Sequence, residues 1–276
     1  MSIPHDSEVN LSSSGIILQN IDEVHCIPRQ VKLQVDDDSC AKLQSTKYRW
    51  QGKPEMKPVK LRSVILDMDG TITRFNLDSK GVKLAFLAEL EKLNLRSPDM
   101  TERSSILALL KQMKDRLDTE TYDKLRNQFY RLLEEMEVKA AQETAFHPGV
   151  LDTLRELRRR GLLLGLVTNN SRKGTDISLE RLGLNGFFQV VVTRDECQEM
   201  KPDPESLKKA LKELNVRADE AIFVGDSVND IIAAKKAGLS SVAVSSGSAS
   251  MEQLISYEPD YILGSLNDLP NLIGSF

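Results

Sequence analysis

The chain has 276 residues, enough for one sizeable core and a second, smaller domain. Charged residues make up 28% of it, yet the net charge is only −4, which gives no electrostatic footprint for a nucleic-acid or anionic-membrane partner. No run approaches the roughly 18 apolar residues of a membrane span, and three scattered cysteines, Cys26, Cys40 and Cys197, do not make a disulfide framework.

Residues 1–60 carry little pattern. The N-terminus lacks a basic segment followed by an apolar one, and Asp6, Glu8, Asp22 and Glu23 argue against an organellar transit peptide. A cytoplasmic protein with reduced thiols is the expectation. A zinc site on His25, Cys26 and Cys40 lacks a fourth ligand and a tight ligand pair. Val31–Val35 alternates like a strand, and Ile16-Ile17-Leu18 is a short apolar run. Gly52 to Pro58 reads as a linker, and Tyr48 and Trp50 are free to pack on the main body or on a partner. Eight basic and eight acidic residues balance here, so the segment reads as a loosely ordered extension with one small hairpin.

At Val64-Ile65-Leu66 an apolar run too short for a helix stops at two carboxylates, Asp67 and Asp69, followed by Gly70 and Thr71. A buried parallel strand reads this way when its carboxyl end opens into a site, and Gly70 permits the turn that brings Asp69 back toward Asp67. Residues 78–146 then turn helical. Asp78-Ser79 starts a helix carrying Val82, Phe86, Leu90 and Leu93. Asp99 and Glu102 make a capping box for a second with Ile106, Leu109, Leu110, Met113 and Leu117. Asp118 or Thr119 caps a third, with Tyr122, Leu125, Phe129, Leu132, Leu133 and Met136 on one stripe. These stripes build a core and offer no metal or cofactor ligand.

From residue 147 an alternating β/α array follows. A helix from Pro148-Gly149-Val150 is stopped by Gly161, and Leu162–Val167 is a strand ending in Thr168-Asn169-Asn170. A helix over about Thr175–Leu182 leads to a strand at Phe188–Val192. Lys201-Pro202 precedes another helix, and the strand Ala221–Val224 runs into Gly225-Asp226-Ser227-Val228-Asn229-Asp230. A strand at Val242–Val244 and an edge strand near Tyr261–Leu263 complete it. Each polar cluster follows an apolar run, so a parallel sheet gathers Asp67, Asp69, Thr168, Asn169, Lys201, Asp226 and Asp230 on one edge. Such a crowd of carboxylates repels itself unless it shares a cation, and hard oxygen ligands suit Mg²⁺. A hydroxyl, an amide and a Lys nearby suit phosphoryl oxygens, and the pair of strand-end carboxylates can divide nucleophile from proton carrier. No Gly-rich phosphate loop of the G-x-x-x-x-G-K type is present.

With four such motifs in order, residues 61–276 resemble the haloacid-dehalogenase-like hydrolases, in the branch of phosphatases that includes phosphoglycolate phosphatases and β-phosphoglucomutases. Asp67-Met68-Asp69-Gly70-Thr71 looks like the first motif, Thr168 the second, Lys201 the third and Gly225 to Asp230 the fourth. The resemblance implies a three-layer Rossmann-like parallel sheet core over 61–77 and 147–276, with residues 78–146 as an inserted helical cap. It implies that Asp67 attacks phosphorus to give an aspartyl-phosphate and that Asp69 protonates the leaving group and then activates water. Mg²⁺ would bridge Asp67, the Asp69 backbone carbonyl, Asp226 and the phosphate. Thr168, Asn169 through its backbone, and Lys201 would hold phosphate oxygens, with Gly70, Thr71 and Asp230 in support. Asp69 argues against the family's dehalogenases and phosphonate hydrolases. The expected activity is Mg²⁺-dependent hydrolysis of a small phosphorylated metabolite. A phosphosugar mutase using the same nucleophile and a catalytically idle interaction module are the alternatives.

Overall fold

The computed structural model of the protein describes residues 11–12, 15–16, 48–49, 60–74, 77–101 and 104–274. Its strands are β1 (Leu11–Ser12), β2 (Gly15–Ile16), β3 (Tyr48–Arg49), β4 (Ser63–Leu66), β5 (Leu163–Val167), β6 (Val190–Val192), β7 (Ala221–Gly225), β8 (Ser240–Val244) and β9 (Tyr261–Leu263). Its α-helices are α1 (Ser79–Lys92), α2 (Ile106–Arg116), α3 (Thr119–Ala141), α4 (Val150–Arg159), α5 (Arg172–Arg181), α6 (Glu205–Leu214), α7 (Val228–Ala237), α8 (Met251–Ser256) and α9 (Leu269–Ile273). The main sheet runs β3-β9-β8-β7-β4-β5-β6, parallel from β9 to β6.

All four residues of β4 are buried, because both faces of the sheet are covered. Alternate side chains go to opposite layers. Val64 and Leu66 join one core with Val150, Leu154 and Leu157 of α4 and Leu179 of α5. Ile65 joins another with Leu207, Ala210 and Leu211 of α6 and Ala233 and Ala234 of α7. From β4 the chain moves outward through β5 to β6, then returns to β7 on the other flank of β4 and moves away through β8. The β4–β7 boundary is therefore the topological switch point, where open α/β sheets bind ligands at the carboxyl ends of their strands. Leu66 is in register with Leu166 and Val224, so Asp67, Thr168 and Asp226 emerge side by side.

The inserted helices have their own core of Val82, Phe86, Leu90, Leu109, Met113, Leu125 and Phe129. The linkers into and out of them pair with each other, Arg74 N–H donating to the Ala145 carbonyl and His147 N–H to the Ile72 carbonyl. Asp78 caps α1 and Asp118 caps α3, as the sequence suggests. α2 is different: Ser105 is its N-cap, accepting from Ala108 N–H, while the Asp99 carboxylate accepts from the Gln112 side chain. Both Asp99 and Ser105 are good caps in sequence, and only the one adjoining the first turn can serve it. Leu132 and Met136 are half-buried, and Leu93 is an exposed C-cap.

Three further expectations change. α5 begins at Arg172 because Ser171 caps it, accepting from Gly174 N–H. The strand expected from Phe188 begins at Val190. β9 is not the edge, since β3 pairs antiparallel with it, Tyr48 opposite Ile262. A hairpin does form in the extension, at β1 and β2, whereas Val31–Val35, His25, Cys26 and Cys40 lie outside the described residues.

Candidate active site

Asp67 is the residue after β4, held by its N–H donating to the Val224 carbonyl at 2.9 Å. Its Oδ1 accepts from the Lys201 ammonium at 2.5 Å. The same ammonium donates to Asp230 Oδ1 at 2.7 Å and to the Val167 carbonyl at 3.2 Å. All three Lys201 donors are thereby engaged within the protein, so a phosphate oxygen reaches it only by sharing or displacing one of these partners. Asp230 sits in the first turn of α7. Its Oδ2 accepts from the N–H and the hydroxyl of Ser227 in a capping box, which fixes the carboxylate that faces Lys201.

The Asp69 side chain turns the other way, toward the helical insertion. Oδ1 accepts from the Thr73 hydroxyl at 2.8 Å and Oδ2 from the Asn170 amide at 2.6 Å. Gly70 makes the intervening turn at φ +85°, and a Cβ there would lie 2.4 Å from Asp226 Oδ2. Thr71 is buried and its hydroxyl is 3.5 Å from Asp226 Oδ1.

Asp226 follows β7 and is fixed by a residue that the sequence pattern does not single out. Ser248 donates to its Oδ2 through N–H at 2.7 Å and hydroxyl at 3.0 Å. The loop carrying Ser248 comes close only because residue 247 is glycine; a Cβ there would be 1.9 Å from the same oxygen. Carboxylate oxygens of Asp67, Asp226 and Asp230 lie within 4.8 Å of one another.

Thr168 is buried and accepts from Asn170 N–H, which leaves its own hydroxyl proton for a ligand. The Asn169 side chain does not face the site's centre. It clamps the backbone of Lys201, donating to its carbonyl at 3.1 Å and accepting from its N–H at 2.9 Å. Asn170, the neighbour that sequence reasoning did not single out, is the one that touches Asp69. Two adjacent Asn residues at a strand end were the available signal.

The electrostatics follow from burial. Burial pushes the Asp67 carboxyl well up; Lys201 opposes this, while Asp230 and Asp226 push the same way. Burial also pushes Asp226 up, to about 6, with the Asp230 carboxylate adding to it. Burial works against the charge of Lys201, yet Asp230 and Asp67 outweigh it and hold the ammonium protonated well above its ordinary range. Asp69 is raised by burial, although Asn170 and Thr73 both donate to it and favour the anion. Burial lowers the half-buried His147, and the nearby Arg74 acts the same way. Three buried carboxylates against one buried ammonium leave a surplus of two negative charges. An all-oxygen donor set with that surplus fits a hard divalent cation.

The model of the haloacid dehalogenase-like hydrolase family matches residues 64–244, from β4 to the end of β8. The chain belongs to this family. A curated relative, the pyrophosphatase PpaX of Bacillus cereus (strain Q1), is 30% identical over 215 residues, 76% of this chain and 95% of that protein. Among solved structures, a predicted phosphatase from Clostridium acetobutylicum superposes with a TM-score of 0.59 at 24% identity, covering 79% of this chain and all of that one. A predicted phosphoglycolate phosphatase from Haemophilus somnus superposes at 0.55 and 22% identity, covering 78% and 99%. As a haloacid dehalogenase-like hydrolase with relatives of this kind, the chain is an enzyme of the phosphatase branch. Among the described residues no helix is long and apolar enough to cross a membrane.

Proposed function

We infer that the protein is a Mg²⁺-dependent phosphatase of a small phosphorylated metabolite, acting through an aspartyl-phosphate on Asp67. The observation that carries this reading is the different tethering of the two carboxylates. Asp67 is gripped through Oδ1 by Lys201, leaving Oδ2 for attack, whereas Asp69 is held by Thr73 and Asn170 beside the cap. Asp67 Oδ2 attacks phosphorus and the bond from phosphorus to the leaving oxygen breaks. Burial lets Asp69 carry the proton that the leaving oxygen takes. Water then attacks phosphorus, gives its proton to Asp69, and the bond to Asp67 breaks with release of phosphate. Acid–base help of this kind contributes about 10²–10⁴-fold.

Thr168 donates to a phosphoryl oxygen, Asn169 fixes the Lys201 backbone, and Asp230 aims Lys201. Mg²⁺, held by Asp67, Asp226 and the Asp69 backbone carbonyl, would neutralise charge between the nucleophile and the phosphoryl oxygens. In this reading residues 61–77 and 147–276 are the core and residues 78–146 the cap. A cavity of only about 10 Å³, room for about one water, lies between Asp69 and the cap, lined by Leu77, Ala140, Thr144 and Asn170 among others. A leaving group therefore enters when the cap moves away, which favours a small metabolite over a macromolecular partner.

The test is phosphate release across a panel of alkyl phosphates, an aryl phosphate and inorganic pyrophosphate, the last suggested by the PpaX relative. Mg²⁺-dependent release without added bisphosphate is expected. Turnover that needs a bisphosphate and frees little phosphate would instead mark a mutase. Asp67→Asn should abolish the covalent adduct. Asp69→Asn should accumulate it on Asp67 with the aryl ester, visible by intact mass after acid quench; an adduct on Asp226 would overturn the assignment.

A further inference from the structure

Glu137 lies in the C-terminal part of α3, where the helix dipole disfavours an anion, and its side chain is only 4% exposed. Its partners come from the other domain. Arg194, which follows β6 and is 1% exposed, grips both carboxylate oxygens, at 2.7 and 3.0 Å. Ser171 N–H, at the start of α5 where the dipole favours an anion, donates to Oε2 at 2.9 Å. The Arg194 guanidinium also lies 4.8 Å from the centre of the Tyr130 ring on α3. The helices approach closely at residue 174, where a Cβ would stand 3.2 Å from the Glu137 Cβ.

Arg194 does a second thing. It donates from its guanidinium to the Asn169 carbonyl at 2.8 Å and from its backbone N–H to the Asn170 carbonyl at 3.0 Å. Glu137, Arg194 and Ser171 N–H thus fix every residue of the short loop 169–171. That loop is the one whose side chains hold the Lys201 backbone and the Asp69 carboxylate. A buried ion pair is weak evidence for stability, since apolar residues of similar volume often replace one without loss. Apolar side chains cannot hold the Asn169 carbonyl or the Ser171 N–H, although the backbone bond from residue 194 to the Asn170 carbonyl would remain.

We propose that Glu137 and Arg194 are positioning residues that couple the seating of cap helix α3 to the alignment of Lys201 and Asp69, through Asn169 and Asn170. The pair completes itself only when α3 is seated, so the site is aligned when the cap is closed. The kinetic part rests on the phosphatase reading above; the structural part does not.

The test is the double substitution Glu137→Met, Arg194→Met, with Glu137→Gln as a milder second variant should the double one fail to fold. Three readouts are taken: melting temperature, hydrogen exchange of the Lys201 amide, and kcat and KM on p-nitrophenyl phosphate and on an alkyl phosphate. The Lys201 amide touches neither residue of the pair and bonds to Asn169 Oδ1, so a merely structural role would leave it unmoved. In the double variant we expect a melting temperature close to that of the parent and Lys201 exchange faster by about tenfold or more. We also expect kcat lower by about 10²-fold with KM little changed, and a larger loss on the alkyl ester, whose leaving oxygen needs the Asp69 proton. Glu137→Gln should move exchange and kcat the same way by less. A folded double variant, or a folded Glu137→Gln in its place, with parental Lys201 exchange or with parental kcat would overturn the proposal. If the parent enzyme turned over neither ester, the phosphatase reading would fail while the exchange result still decided the coupling.

Discussion

Adding or withholding Mg²⁺ should change the stability of this protein by an amount that Asp226 sets. Burial and the neighbouring Asp230 carboxylate push the Asp226 carboxyl up to about 6, against about 3.9 in an unfolded chain. The folded state therefore binds more protons between those values, and stability falls as pH rises through that window. A window about two pH units wide corresponds to about 3 kcal/mol, or roughly 6–12 °C in melting temperature for a domain of 150–250 residues. The comparison is between the wild type and Asp226→Asn in excess chelator, melted from pH 4 to pH 7. At pH 4 the two should melt together, because the wild-type carboxyl is protonated. At pH 7 the Asn variant should be the more stable by about 3 kcal/mol. Mg²⁺ at a hundred times its Kd should then raise the wild type by about 2.7 kcal/mol and leave the variant unmoved. Parallel pH profiles in chelator, or equal Mg²⁺ stabilisation of both proteins, would refute the charge argument at its root.

Lys201→Met leaves Asp67 and Asp230 facing each other in the interior, and denaturant unfolding at pH 7 should show a loss of about 3–5 kcal/mol together with loss of turnover. Asn170→Ala removes a donor that favours the ionised form of Asp69, so that carboxyl should hold its proton to higher pH. With an alkyl phosphate, whose leaving oxygen takes the Asp69 proton, the alkaline limb of the kcat/KM profile should move to higher pH, and an unmoved limb would detach Asn170 from Asp69. Gly247→Ala puts a Cβ where Asp226 Oδ2 now lies and should weaken Mg²⁺-dependent thermal stabilisation while far-ultraviolet circular dichroism stays unchanged. A chain starting at Lys57 lacks β3 but no residue of the site and should keep phosphate release within a few-fold.

The strand-end carboxylates were legible because a parallel strand buried on both faces reads as an unbroken apolar run, and Asp67 and Asp226 each interrupt one. Lys201 and Asp230 were legible through the family resemblance, as the third motif before Pro202 and the end of the fourth. What holds these residues was not. Ser248 lies in a Ser- and Gly-rich loop whose composition suits any turn, and only the approach of residue 247 to Asp226 reveals its purpose. Glu137 continues the buried stripe of Leu125, Phe129 and Leu133 at helical spacing, unlike Glu134 and Glu135, but the spacing alone does not say which cation meets it there. β3 has two residues, too few for any period, so its place beside β9 is a tertiary fact alone. Side chains that make the chemistry sit at places fixed by topology; side chains that orient them come from loops that meet only in the fold.

The glycines show how far the site is built in advance. A Cβ at Gly70 or Gly247 would lie 2.4 or 1.9 Å from Asp226 Oδ2, and one at Gly225 would lie 2.4 Å from the Asp230 Cγ. Backbone thus presses on two of the three clustered carboxylates, and neither has room to swing away from its neighbours. A flexible cluster would relieve its repulsion by spreading into solvent; this one is held at close quarters with two negative charges in surplus. Burial is the first cause of the raised Asp67 and Asp226 carboxyls, and the neighbouring carboxylates add to it. Binding of a divalent cation would then need little reorganisation, since the carboxylates already stand together. The instability expected of the metal-free protein and the preorganisation expected of the loaded one have a single cause, the close packing of backbone around carboxylates that cannot move.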